Sequence, residues 1–241
     1  MRWSVFVFVV GMGCLLGLGA VAQTTDSPLG TWEAELAASG GDRATCYMTF
    51  LDDATWSGYG ISTRSLGPFT IVGTWSNDDK GRVIGAATLF MPTGDLVTTL
   101  LGRVKGDKLR ATVRKAAGGE FKMKAETATA PVDVSGNWTA EVRTRQSKDF
   151  QSWTLTASTN TLGWFDLAGM GVGPGGAFTV TGALVVTSNR RASGYTLTDL
   201  GVSGVVTSSF SGRFQSSSRR GTFRGRDHAG HDVVIKAAVA E

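Results

Sequence analysis

The sequence predicts an all-β protein: two tandem antiparallel up-and-down β-barrels of about eight strands each, preceded by a signal peptide. Three observations carry this. Apolar and polar residues alternate along short runs, turn-forming clusters separate those runs, and a phrase near the start returns about a hundred positions later, "GTWEAEL" at 30–36 as "GNWTAEV" at 136–142.

The N-terminus comes first. "MRWSVFVFVVGMGCLLGLGAVAQ" places Arg2 ahead of an apolar stretch and then small residues at Ala20 and Ala22. That is the order of a secretory signal, residues 1–22, with the mature chain starting at Gln23 and located in the periplasm or outside the cell. The apolar stretch is short and Gly-rich for an anchoring helix, and "VGMG" ahead of Cys14 is a poor approach to a lipid-anchored cysteine. No later apolar run is long enough to span a bilayer as a helix.

Charge and cysteine content narrow the function classes. The chain carries 24 Lys and Arg against 20 Asp and Glu. Loss of Arg2 with the signal leaves 23 cations and a formal +3, too mild for a dedicated nucleic-acid binder with its dense basic stripe. Cys14 leaves with the signal as well, so Cys46 has no intramolecular partner and is expected to be buried as a small hydrophobe.

The echo extends through both halves. The spacing from Trp32 to Tyr47 equals that from Trp138 to Trp153, and "FTIVGTW" at 69–75 matches "FTVTGAL" at 178–184. Phe69 to Gly85 repeats as Phe178 to Gly194, "LLGRV" at 100–104 meets "FSGRF" at 210–214, and "FKMKAE" meets "VVIKAA" near the two ends. These correspondences define units 27–128 and 132–241, joined by the short linker "TATAP".

Within each unit the strands read directly. In "TWEAEL" Trp32, Ala34 and Leu36 fall on one face, with Thr31, Glu33 and Glu35 on the other; Trp138, Ala140 and Val142 repeat this against Thr139, Glu141 and Arg143. "KLRATVRK" puts Leu109, Ala111 and Val113 opposite Lys108, Arg110, Thr112 and Arg114. A helix would scatter those cations around its circumference. "NDDKG" at 77–81, "KGD" at 105–107, "AAGG" at 116–119, "SNRR" at 188–191 and "HAG" at 228–230 are hairpin turns. Closing such a sheet removes its exposed edges; a single flattened sheet system shared by both units is the alternative.

The opening Gly-x-Trp of each unit, Gly30-Thr31-Trp32 and Gly136-Asn137-Trp138, on the first strand of an up-and-down unit, resembles the calycin superfamily of lipocalins and avidins. The resemblance implies that Trp32 and Trp138 pack across the closed end of a barrel. It covers topology and one tripeptide per unit; the Thr-Asp-Tyr motif of lipocalins and the avidin ligand set are missing, and fold likeness alone licenses no ligand.

Two residue sets are candidates for binding. Trp32, Tyr47, Trp56 and Trp75 in the first unit, with Trp138, Trp153 and Trp164 in the second, either line a concave interior that takes a small apolar ligand or fill the barrels solid. Arg110, Arg114, Lys122 and Lys124, with Lys108, form a basic strand face in unit one, and Arg219, Arg220, Arg224 and Arg226 form one in unit two. Such faces either meet an anionic polymer, an envelope component or an acidic protein, or keep the sheet surface hydrated.

Catalytic and metal motifs are thin. "RDHAGHD" holds both histidines, His228 and His231, across a turn and lacks a second ligand pair. "GVGPGG" fits a dinucleotide-binding spacing but leads into a strand where a helix is required. No nucleophile elbow is present, and Asp52-Asp53 and Asp78-Asp79 are adjacent pairs with hydration as their ordinary role. The reading is a non-enzymatic binding protein with no cofactor or metal, taking an apolar ligand inside or an anionic partner outside.

Overall fold

The computed structural model describes residues 27–63, 67–129, 132–145, 150–215, 217 and 219–240. The signal peptide and part of the "TATAP" linker lie outside the described residues.

Among the described residues sixteen strands form two closed antiparallel barrels. The first comprises β1 (Gly30–Ala38), β2 (Arg43–Phe50), β3 (Thr55–Ser62), β4 (Gly67–Asn77), β5 (Val83–Phe90), β6 (Leu96–Lys105), β7 (Lys108–Lys115) and β8 (Glu120–Thr127). The second comprises β9 (Gly136–Thr144), β10 (Phe150–Thr159), β11 (Phe165–Gly173), β12 (Gly176–Val186), β13 (Arg191–Asp199), β14 (Val205–Phe214), β15 (Arg220–Asp227) and β16 (Asp232–Val239). Within each barrel every strand pairs with its chain neighbours, and each ring closes through its first and last strands, β1 with β8 and β9 with β16. The merged sheet is thereby excluded.

The alternation in the sequence becomes the inside and outside of the barrels. Along β7, Leu109, Ala111 and Val113 are buried while Lys108, Arg110 and Arg114 are exposed. Each barrel has its own apolar core.

The matching tryptophans do matching jobs. Gly30 and Gly136 open the two units with φ of 105° and 121°, a region that favours glycine. Two residues on, the indole N–H of Trp32 donates to Pro28 O at 2.6 Å and that of Trp138 to Val134 O at 2.8 Å, both four residues back. Both rings are buried in their cores.

One correspondence is corrected. Trp32 faces Met48 across β1–β2, whereas Trp138 faces Leu155 across β9–β10, so the second hairpin holds one residue more. The residue equivalent to Trp153, which faces Ala140, is therefore Cys46, which faces Ala34, and not Tyr47. Side chains alternate faces with a period of two, so one added residue turns every later side chain over. Trp153 points into its core; Tyr47 points out of its barrel.

Tyr47 is nonetheless buried, because the second barrel covers it. β2 and β3 lean on β12 and β13, and Tyr47, Ile61, Ala183 and Val185 are buried between the barrels with Tyr59, Trp164 and Tyr195 half-buried around them. Polar bonds stitch the same seam. The Glu33 carboxylate accepts from the Ser188 N–H at 2.8 Å and hydroxyl at 2.7 Å, Thr45 and Ser193 share a hydroxyl bond of 2.7 Å, and the Tyr47 hydroxyl donates to Val186 O at 3.2 Å.

Candidate functional site

The aromatic candidates resolve into three groups. Trp32, Trp56 and the half-buried Trp75 lie at the end of the first barrel where its chain enters, with Phe50 stacked on Trp56 at 5.2 Å and edge-on to Trp75 at 6.0 Å. Their indoles are bonded to main-chain oxygens, Trp56 to Thr74 at 3.2 Å and Trp75 to Leu51 at 3.0 Å. Trp138 packs on Phe214, and Trp153 is buried in the same core. Tyr47 and Trp164 belong to the seam, where Trp164 donates to Asp166 at 2.9 Å.

These rings fill the barrels. The void left in the first is about 20 Å³ and in the second about 50 Å³, against roughly 300–1,000 Å³ for sites that enclose a drug-sized ligand. The second void is wholly apolar apart from Thr196, whose hydroxyl has no partner among the described residues. Among the described residues neither interior has room for a ligand of that size, which favours core filling over the interior-ligand reading.

The basic candidates separate by register. Across β6, β7 and β8, Arg103 faces Arg110 and Arg110 faces Lys124, three exposed cations abreast on the outer wall of the first barrel. In the adjoining row Lys105 faces Lys108, and Lys108 faces Glu126. Neighbouring strands lie about 4.8 Å apart and alternate residues about 6.7 Å along a strand, so Arg103, Lys105, Lys108, Arg110 and Lys124 stand at that mesh, with Glu126 and Glu35 at its edge. Beyond Lys124 in register sits Glu35, but Arg191 of the second barrel already holds that carboxylate. Among the described residues none of Arg103, Lys105, Lys108, Arg110 and Lys124 has a carboxylate within ion-pair reach.

Two predicted members of this face are already committed. Glu120 binds Lys122 at 2.7 Å and Arg114 at 3.8 Å, and its carboxyl is held below its ordinary range, first by the Lys122 hydrogen bond and charge. Arg103 and Lys105 take their place. The alternation of Leu96–Lys105 marks both as outward-facing; only the pairing of β6 with β7 shows that they join the others.

The second unit's basic set is more dispersed. Arg226 pairs with Asp232 at 3.3 Å, Arg224 faces the neutral Val234 and Ser211, and Arg219 and Arg220 sit at the start of β15, where Arg220 faces Ala238. No three of these cations stand abreast.

The remaining motifs are structural. His231 Nδ1 lies 2.8 Å from Asp227 and its N–H bonds the same carboxylate at 2.8 Å, tying the β15–β16 turn. Partial burial works against the charge of Asp227, but these bonds outweigh it and hold its carboxyl below the usual range. No group of three metal-ligating side chains occurs among the described residues. Pro174 and Gly175 of "GVGPGG" form a two-residue turn between β11 and β12.

Fold and surface thus define a tandem pair of filled up-and-down barrels, one carrying a row of three cations, Arg103, Arg110 and Lys124, without ion-pair partners among the described residues. The sequence matches no protein-family model and no curated protein. Among solved structures, a protein of unknown function of the DUF3598 family from Nostoc punctiforme aligns at 12% identity over 88% of this chain and 96% of its own, with a TM-score of 0.28. The Burkholderia oklahomensis agglutinin aligns at 12% identity over 86% and 94%, TM-score 0.24. The Myxococcus xanthus hemagglutinin, solved with a3,a6-mannopentaose, aligns at 9% identity over 87% and 100%, TM-score 0.21.

Proposed function

We propose that this chain is an exported, non-enzymatic binding protein whose working surface is the cationic wall of β6–β8, and that its ligand carries several negative groups. The single observation behind the reading is the row Arg103, Arg110 and Lys124. Like charges facing each other on neighbouring strands destabilise a sheet. A row of three without acids among them is matched by a partner that brings the anions. Such a ligand gains from meeting all three at once, and its affinity falls as salt rises.

The signal-like N-terminus supports export to the periplasm or beyond. Calycin kinship belongs to the same proposal, supported by the paired Gly-x-Trp openings; the calycin habit of enclosing a ligand is set aside, because the cores are packed.

The test is retention on a heparin-like polymer. The double variant R110E/K124E is expected to elute at clearly lower salt, since the salt dependence scales with the anionic contacts made. R224E in the second barrel should elute close to the wild type. Equal elution of R110E/K124E and wild type would remove this wall as the binding surface.

A further inference from the structure

The outer wall of the first barrel is divided by charge. The outward positions of β4, β5 and the first part of β6 run Thr70, Val72, Thr74, Ser76, then Ile84, Ala86, Thr88, Phe90, then Val97, Thr99, Leu101, and none is charged. The register makes these one surface. Val72 faces Thr88 and Thr88 faces Val97; Ile84 faces Leu101. Val72, Val97 and Phe90 are 56%, 53% and 44% exposed. The next outward residue of β6 after Leu101 is Arg103, where the cationic wall begins. One convex sheet surface, in which exposed Val72, Ile84, Phe90, Val97 and Leu101 stand among Thr and Ser, therefore passes from uncharged to cationic within two residues of a single strand.

Isolated exposed apolar residues need no explanation, but a cluster of them on one face does. A purely polar polyanion uses the cations and leaves Val72, Phe90 and Val97 in water. An anionic lipid surface satisfies both halves, because headgroups meet the cations while apolar side chains enter the acyl boundary beneath them. The long stems of Arg103 and Lys105 suit this position, lying along apolar surface with their charges at headgroup level.

We infer that the first barrel docks side-on against an anionic lipid surface, with Val72, Phe90 and Val97 entering the interface and Arg103, Arg110 and Lys124 engaging headgroups. This rests on the polyanion reading of the wall and names the source of the anions.

The test uses the chain from Gln23, which keeps both barrels entire, and vesicles of phosphatidylcholine with or without phosphatidylglycerol, assayed by co-sedimentation. Binding is expected to the phosphatidylglycerol vesicles, falling about tenfold in R110E/K124E. F90S/V97S, two exposed outward positions, should lower vesicle binding by a similar factor and leave heparin retention unchanged. If heparin retention depends on Arg110 and Lys124 but F90S/V97S leaves vesicle binding at the wild-type level, or the vesicles do not bind, the lipid assignment is wrong and the polyanion reading stands. If R110E/K124E leaves heparin retention unchanged, the wall reading falls first. Sedimentation velocity supplies a further arm: a wild-type dimer that F90S/V97S converts to monomer would mean a second copy covers this face, and overturns the proposal.

Discussion

Cys46 illustrates what burial does to a single group. Its side chain is fully enclosed in the first core, and desolvation pushes its thiol from 9.0 up to about 12. The folded state therefore favours the neutral thiol more than the unfolded chain does. The stabilisation this contributes is fully present below pH 9 and is lost as pH rises through about 12. Urea titrations should show the unfolding midpoint falling across that window, with a shallower fall in Cys46→Ala. Tyr47 acts in the same direction, because burial first and then the nearby Glu33 charge raise its phenol, so some slope remains in the variant. Identical slopes in both proteins would show that the thiol does not titrate as its burial requires.

At the scale of elements, the β1–β2 and β9–β10 hairpins explain how much was legible in advance. Strand alternation was open to reading because burial repeats every second residue: Leu109, Ala111 and Val113 went inward as their pattern required. The paired tryptophans were legible too, since each sits directly after a glycine-led opening. What no local pattern carries is register. Because the second hairpin holds one residue more than the first, the position fifteen after the opening tryptophan faces outward in the first unit, as Tyr47, and inward in the second, as Trp153, and equal spacing concealed the difference. The cationic row had the same blind spot: Arg103 was visible as outward-facing, but its neighbours depend on which strand lies beside β6. The corrected register makes a prediction. Trp153→Ala should cost about 3–5 kcal/mol by urea unfolding, the usual loss for an aromatic removed from a packed core. Tyr47→Ala should leave the first core's near-ultraviolet circular dichroism unchanged, because its ring never entered that core. A large core perturbation from Tyr47→Ala would refute the assignment of faces.

For the whole molecule, the question is how far two closed barrels behave as one body. Each has a complete core, so each can unfold as its own cooperative unit; what joins them is the seam of Tyr47, Ile61, Ala183 and Val185 and the bonds around Glu33. That carboxylate is nearly enclosed, 8% exposed, and it satisfies the Ser188 N–H and hydroxyl together. Removing it takes the charged acceptor from the half-buried Ser188 N–H and hydroxyl, at about 1–3 kcal/mol, a cost that falls on the seam and on neither core. The seam also supplies Arg191, which occupies Glu35 and so keeps that acid from neutralising Lys124 at the edge of the cationic row. Docking of the second barrel thus adjusts the charge of the first. Calorimetry of Y47A/V185S should show the two barrels' transitions moving further apart than in the wild type, because neither barrel then lends stability to the other. Y47A/V185S/R191A should in addition bind heparin-like polymer more weakly than Y47A/V185S, since Glu35 is released toward Lys124. An unaltered calorimetric profile would mean that the seam transmits no stability between the barrels, and unaltered polymer binding would mean that Glu35 is not held in check by Arg191.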